Sequence, residues 1–190
     1  MMTLEDAWRW YESTRLLGRR MERLARHYWD ELPWAGRLER DDHFRDLEQV
    51  RVAEEADFAL AYLDDLAVVV LFSVFESLVR HHILAELREE SKAIRHQALR
   101  AAAAEAREKV EEGSFFHVLE PFKGRYADLV EQVNQVRRYR NWVAHGRGGR
   151  EPDNVLPREA YRRLRQFLSV IAQAPPAVAP PGSAGQGAPP

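Results

Sequence analysis

Apolar side chains recur at steps of three and four through almost the whole chain, the spacing that lines one face of a helix. No segment shows the alternation of a half-buried strand, and no internal repeat stands out. A first helix is expected from Leu4 to about Glu31, with Thr3 and Asp6 placed as its N-terminal cap and Pro33 and Gly36 as its break. Trp8, Tyr11, Leu16, Met21, Leu24 and Tyr28 give it an aromatic-rich face suited to core or dimer contact. A second helical stretch is expected to begin near Asp41 or Asp42 and to run through Leu47, Val50 and Phe58. From Leu60 to Glu90 the middle is apolar nearly all round, as in the central helix of a bundle. Ala93 to Glu112 is rich in strong helix formers and ends at Gly113. A short turn or helix covers Ser114 to Phe122, with Pro121 and Gly124 as punctuation. Another helix runs from about Arg125 to His145, and Pro157 suits the first turn of a last helix reaching about Gln173.

These elements predict an all-α fold, an antiparallel helical bundle. An N-terminal helix (1–40) packs on a helical domain (41–173), and a tail (174–190) follows. The tail holds six of the ten prolines and three glycines and carries no charge, so it is expected to be disordered.

One position breaks the pattern. Tyr126, Leu129, Val133, Val136 and Val143 form the apolar stripe of the helix before Gly146, and Arg140 occupies a place on that stripe. An ionised guanidinium turned toward an interior is costly unless something pairs with it. Beside the stripe, Asn134, Arg138, Asn141 and His145 follow at steps of four, three and four as a polar strip. Arg140 and His145 lie about 140° apart on an ideal helix, yet both can flank one ligand near the helix end. The alternative is a buried salt bridge for Arg140 and a dipole contact for His145.

The run Arg140-Asn141-Trp142-Val143-Ala144-His145-Gly146 resembles the R-x(4–6)-H signature of HEPN domains, a helical nucleotide-binding superfamily. The form with asparagine after arginine and glycine after histidine is similar to that of its ribonuclease branches. Phe72-Ser73-Val74-Phe75-Glu76 on the preceding apolar helix resembles the family's acidic position, and the likeness spans about residues 45 to 172. It implies catalytic roles for Arg140 and His145, supporting roles for Asn141 and Glu76, and a metal-free site shared across a homodimer. HEPN toxins paired with a nucleotidyltransferase antitoxin carry a modified tyrosine two residues after the histidine. This chain has Arg147 there, which argues against that regulation and leaves any antitoxin or regulatory partner open.

The chemistry fits those residue types. Cleaving RNA without a metal means deprotonating a 2′-hydroxyl, stabilising a phosphorane and protonating the leaving 5′-oxygen. Histidine, with a free pKa of about 6.5, can serve as base or acid, and arginine can hold the developing charge. One chain supplies one such pair, whereas a symmetric dimer supplies two. Glu76 either pairs with Arg80 one turn later or orients Arg140 from the facing helix. Trp142 either packs or stacks a base.

Charge adds a second cue. The net charge is −2, so the chain is no polycation, but no acid lies between Gln132 and Gly149, where Arg137, Arg138, Arg140 and Arg147 fall, with Arg150 next. These residues and Trp142 are the candidate RNA- and phosphate-binding set. The alternative is a solvated basic helix end. There is no cysteine, hence neither disulfides nor thiolate chemistry. His81-His82 with Glu86 has helical ligand spacing, but no H-E-x-x-H occurs and no metal is expected. Phosphate-loop and dinucleotide motifs are absent, so no cofactor is expected. The first residues do not resemble a signal peptide, and the run from Leu66 to Phe75 is short for a membrane span, so a cytoplasmic protein without membrane contact is expected. The readings left open are a metal-independent endoribonuclease in toxin–antitoxin, abortive-infection or stress defence, a non-catalytic RNA- or nucleotide-binding module, and a dimeric scaffold.

Overall fold

The structure is a computed structural model that describes residues 2–34, 40–45 and 47–172; the expected break at Gly36 and the tail from 174 lie outside them. The described residues are all-helical, with α1 (Leu4–His27), α2 (Gln49–Lys92), α3 (Gln97–Glu112), α4 (Phe115–Leu119), α5 (Lys123–Ala144) and α6 (Pro157–Ala172). Short 3₁₀ turns at Trp29–Glu31 and Glu120–Phe122 join them.

α1 starts where its cap says it should. Thr3 Oγ1 accepts from the Asp6 N–H at 3.1 Å, and the Asp6 carboxylate accepts from the Thr3 N–H at 3.1 Å, satisfying two donors that the helix itself cannot. The helix then buries Leu4, Ala7, Tyr11 and Ala25. The Tyr11 hydroxyl donates to Asp64 at 2.8 Å, Arg26 pairs with Asp57, and the Gln49 amide donates to the Ala25 carbonyl at 2.8 Å. As the α1 number rises the α2 number falls, so the two helices run in opposite directions.

α2 differs from expectation at both ends of its first half. It begins at Gln49 rather than near Asp41, because Asp41 closes a turn instead: its side chain accepts from the His43 N–H at 2.9 Å and its carbonyl from Phe44 and Arg45. Aspartate competes well for nearby backbone N–H groups and so favours turns over helix interiors. Nor is there a break near Leu60. Val52, Ala56, Leu63 and Ala67 are buried at helical spacing through the expected junction, and the two stretches form one helix of 44 residues. By length and composition α2 could cross a bilayer. In this fold one face of its apolar middle, Val68, Leu71, Phe72, Phe75 and Val79, joins the core.

That core joins Val68, Leu71, Phe72, Phe75 and Val79 of α2 to Leu129, Val130, Val133 and Val136 of α5 and to Leu164 and Phe167 of α6. Phe115 meets Phe72 and Phe75 edge-on, at centroid distances of 5.6 and 5.8 Å, the arrangement the ring quadrupoles favour. α3 begins at Gln97, four residues later than Ala93, where the His96 ring accepts from the Ala98 N–H at 3.2 Å. It buries no residue. Instead the Arg80 guanidinium donates to the Val110 carbonyl and, at 2.9 Å, to the Gly113 carbonyl, tying the end of α3 to α2. α5 bends at Tyr126, whose φ of −132° and ψ of 42° leave the helical region.

Candidate functional site

The stripe and strip expected on α5 are only partly right. Leu129, Val133 and Val136 are buried, but so is Asn134, at 2% exposure, where its amide oxygen accepts from Arg137 Nε at 3.0 Å. Asn134 is therefore a satisfied core residue and not part of an outward polar strip. Arg140 does face the neighbouring helix. One terminal nitrogen donates to Glu76 Oε2 at 3.3 Å, the other donates to Asn141 Oδ1 at 2.9 Å, and the guanidinium lies 5.2 Å from the Phe72 ring centroid. Its Nε is buried without a hydrogen-bond partner among the described residues. Glu76 meets both sequence-based readings at once. Oε2 faces Arg140, while Oε1 accepts from Arg80 at 2.7 and 3.1 Å.

The end of α5 is set by glycine. His145 caps the helix, its N–H donating to the Asn141 carbonyl at 3.0 Å. Gly146 has φ +74° and donates to the Val143 carbonyl, and the Arg147 N–H donates to the Trp142 carbonyl at 2.8 Å. This pair of backward bonds is the Schellman motif, which consumes carbonyls the helix leaves unpaired. It carries Arg147 into the left-handed region too, at φ +60°, where a side chain costs about 1–2 kcal/mol. The His145 side chain is exposed and makes no hydrogen bond or ion pair among the described residues. The Asn141 amide oxygen accepts from Arg140, and among the described residues no hydrogen bond joins Asn141 to the imidazole.

The acid-free stretch of sequence is not acid-free in space. Arg138 pairs with Glu131 at 2.6 Å, Arg147 with Asp65, and Arg140 with Glu76. Arg137 stands over the Phe116 ring at 5.3 Å, and burial, followed by repulsion from Arg138 and Arg140, pushes its pKa down. Arg150 alone of the set is exposed without a hydrogen bond or ion pair among the described residues. Trp142 is half-buried, with its ring 5.8 Å from Tyr139 and 5.6 Å from the Arg147 guanidinium. Its Nε1 is buried without a partner among the described residues.

Asp65 is the residue that sequence reasoning missed. It accepts from the Tyr139 hydroxyl at 2.5 Å and holds Arg147, so it fastens the loop after α5 to α2. The cue was available: Asp64-Asp65 is a pair of acids entering the most apolar part of the chain, where a carboxylate needs partners. The Tyr139 phenol is pushed up by burial and by the charges of Glu151 and Asp64. Among the described residues no three His, Asp or Glu side chains come together as a metal-binding group. His82 instead lies 3.2 Å from the Ile171 carbonyl through Nε2.

Two concavities open elsewhere. A groove of about 1210 Å³ lies between α1 and α6, and a cleft of about 330 Å³ lies beside the Tyr126 bend, lined by His82, Glu86, Phe122 and Ile171. Neither includes Arg140 or His145. Compared with protein-family models, with curated proteins and with solved structures, the chain shows no significant match.

Proposed function

We propose that the chain is a metal-independent endoribonuclease of HEPN type, with Arg140 and His145 as its catalytic pair. The observation that carries the reading is the setting of Arg140: a guanidinium held from two sides by Glu76 and Asn141, its Nε buried and unpaired among the described residues, five residues before an exposed histidine. The two contacts fix the orientation of the fork, and the second hydrogen on each terminal nitrogen is what it offers to a phosphate oxygen. His145 at the open end of α5 takes the 2′-hydroxyl proton; the 2′-oxygen attacks phosphorus; the P–O5′ bond breaks; and a second acid protonates the 5′-oxygen. The products are a 2′,3′-cyclic phosphate and a 5′-hydroxyl.

The second acid is the His145 of another copy. What supports a dimer on this side is an apolar row on α2, Phe58, Tyr62 and Leu66 at steps of four, with exposures of 68, 47 and 52%. Tyr62 lies under Arg147 at 5.7 Å, so the row adjoins the loop that leaves His145. Covering it with a second copy removes apolar surface from water beside both motifs. The role proposed for this activity is toxin–antitoxin, abortive-infection or stress defence, with an antitoxin or other regulatory partner to restrain it.

A second reading rests on the same contacts. Because Glu76 and Asn141 already occupy Arg140, the guanidinium can be a structural strut, and the chain a non-catalytic RNA- or nucleotide-binding module or dimeric scaffold. Cellular RNA incubated in chelator with purified wild type, Arg140→Ala and His145→Ala separates the two. Cyclic-phosphate fragments from wild type alone are expected; intact RNA with all three folded proteins would favour the second reading.

A further inference from the structure

The groove between α1 and α6 is lined by five arginines, Arg15 and Arg19 from α1 and Arg158, Arg162 and Arg165 from α6, against two acids, Glu12 and Asp64. Spacing on each helix is regular. Arg15 and Arg19 are four residues apart, about 6 Å along the axis, and Arg158, Arg162 and Arg165 span about 10 Å. Two of the five have long, exposed ion pairs: Arg15 with Asp64 and Arg165 with Glu5, each at 3.7 Å. Arg19, Arg158 and Arg162 are exposed and make no hydrogen bond or ion pair among the described residues. The contrast with the end of α5 is informative, since there Arg138, Arg140 and Arg147 all find acids. Although the chain has more acids than bases, Arg19, Arg158 and Arg162 find none here, and their like charges repel across one concave surface.

Aromatic surface runs into the same groove. Trp8 and Tyr161 stack at 4.9 Å with an interplanar angle of 19°, and both are only half-buried. Tyr11, at the floor, is locked by its hydrogen bond to Asp64. A basic groove that follows a backbone, with partly exposed rings beside it, is how proteins hold an unpaired nucleic-acid strand: arginine takes the phosphates and the rings take the bases. A duplex hides its base faces from such rings, and an acidic peptide has no bases to stack. We propose that this groove binds single-stranded nucleic acid, through Arg19, Arg158 and Arg162 on the phosphates and the Trp8–Tyr161 stack on the bases. The site is separate from Arg140 and His145 and does not depend on cleavage.

The test is anisotropy of a labelled short oligothymidylate, which has no 2′-hydroxyl and so cannot be cut by the proposed chemistry. It is titrated with the full chain over a range of salt. Each phosphate contact on a single strand contributes about 0.7 to the slope of log affinity against log salt. The variant Arg19→Gln/Arg158→Gln/Arg162→Gln is expected to lose about tenfold or more in affinity and about 2 in slope. These side chains are exposed, so unfolding temperature should hold; if it does not, Arg162→Gln alone should lower the slope by about 0.7. The control Arg88→Gln/Arg95→Gln/Arg100→Gln removes the same charge away from the groove and should bind as wild type does. Absence of binding by wild type, an unchanged slope in the groove variants, or an equal loss in the control would overturn the proposal. So would displacement of the oligothymidylate by polyglutamate at equal charge concentration, which would assign the groove to acidic peptides.

Discussion

Glu76 carries two arginines on one carboxylate, and removing its charge while keeping its shape, as Glu76→Gln, tests whether Arg140 is held or merely nearby. The three side chains are 21% (Glu76), 27% (Arg140) and 19% (Arg80) exposed, so the ion pairs are neither dry nor solvated. Breaking a fully buried pair costs about 3–5 kcal/mol and an exposed one about 0–1. Roughly one-fifth to one-quarter exposure places this cluster between them, at about 2 kcal/mol for Glu76→Gln. Geometry divides that cost. Arg80 makes the shorter, two-pronged contact at 2.7 and 3.1 Å, while Arg140 contributes one bond at 3.3 Å. Double-mutant cycles by urea denaturation should therefore give a coupling of about 1–1.5 kcal/mol for Glu76 with Arg80 and about 0.5–1 kcal/mol for Glu76 with Arg140. Equal stability of Glu76→Gln and wild type would refute the argument. Coupling to Arg140 indistinguishable from zero would show that Glu76 positions Arg80 alone.

Further outcomes follow from the same contacts. Gly146→Ala meets no atom within 4 Å but must hold φ +74°, so it should lose about 1 kcal/mol in urea denaturation without loss of helical circular dichroism. Phe75→Ala empties a fully buried position among Phe72, Phe115 and Phe167 and should cost about 3–5 kcal/mol by the same measurement. Tyr11 is pushed up to about 12, first by burial and then by the hydrogen bond its hydroxyl donates to the Asp64 carboxylate, so the folded state holds that proton more tightly than the unfolded chain. Its contribution to stability should be full below the ordinary tyrosine pKa of about 10 and disappear as pH rises toward 12. Tyr11→Phe should abolish that pH dependence and cost about 1 kcal/mol at neutral pH, where Asp64 can be rehydrated; an unchanged alkaline profile would refute the assignment.

What the sequence makes legible here is local. Thr3 and Asp6 announce the start of α1, Pro157 the start of α6, and Gly146 the end of α5, because each signal acts within a few residues of itself. The merger of two expected helices into α2 was not legible, since the decision rests on what Val52, Ala56 and Leu63 pack against, not on propensity. The candidate site divides the same way. Arg140 was marked by its place on an apolar stripe, and Glu76 by its place after an apolar run. The acids of α2 that reach Arg140 and Arg147 depend on pairings 64 and 82 residues apart that periodicity does not encode. The arginine groove was invisible for that reason as well: its two rows lie on the first and last helices, and each alone reads as an ordinary solvated face.

If His145 and Arg140 promote attack by a neighbouring 2′-hydroxyl, as proposed, a single atom of the substrate tests it. An oligoribonucleotide with one internal 2′-deoxy position is incubated in chelator with wild type and with His145→Ala, and the fragments are mapped. Wild type is expected to cleave at linkages throughout the strand except the one following the deoxy sugar, leaving cyclic phosphate at every new 3′ end, and His145→Ala is expected not to cleave. Cutting at the deoxy linkage, or undiminished cutting by His145→Ala, would contradict it.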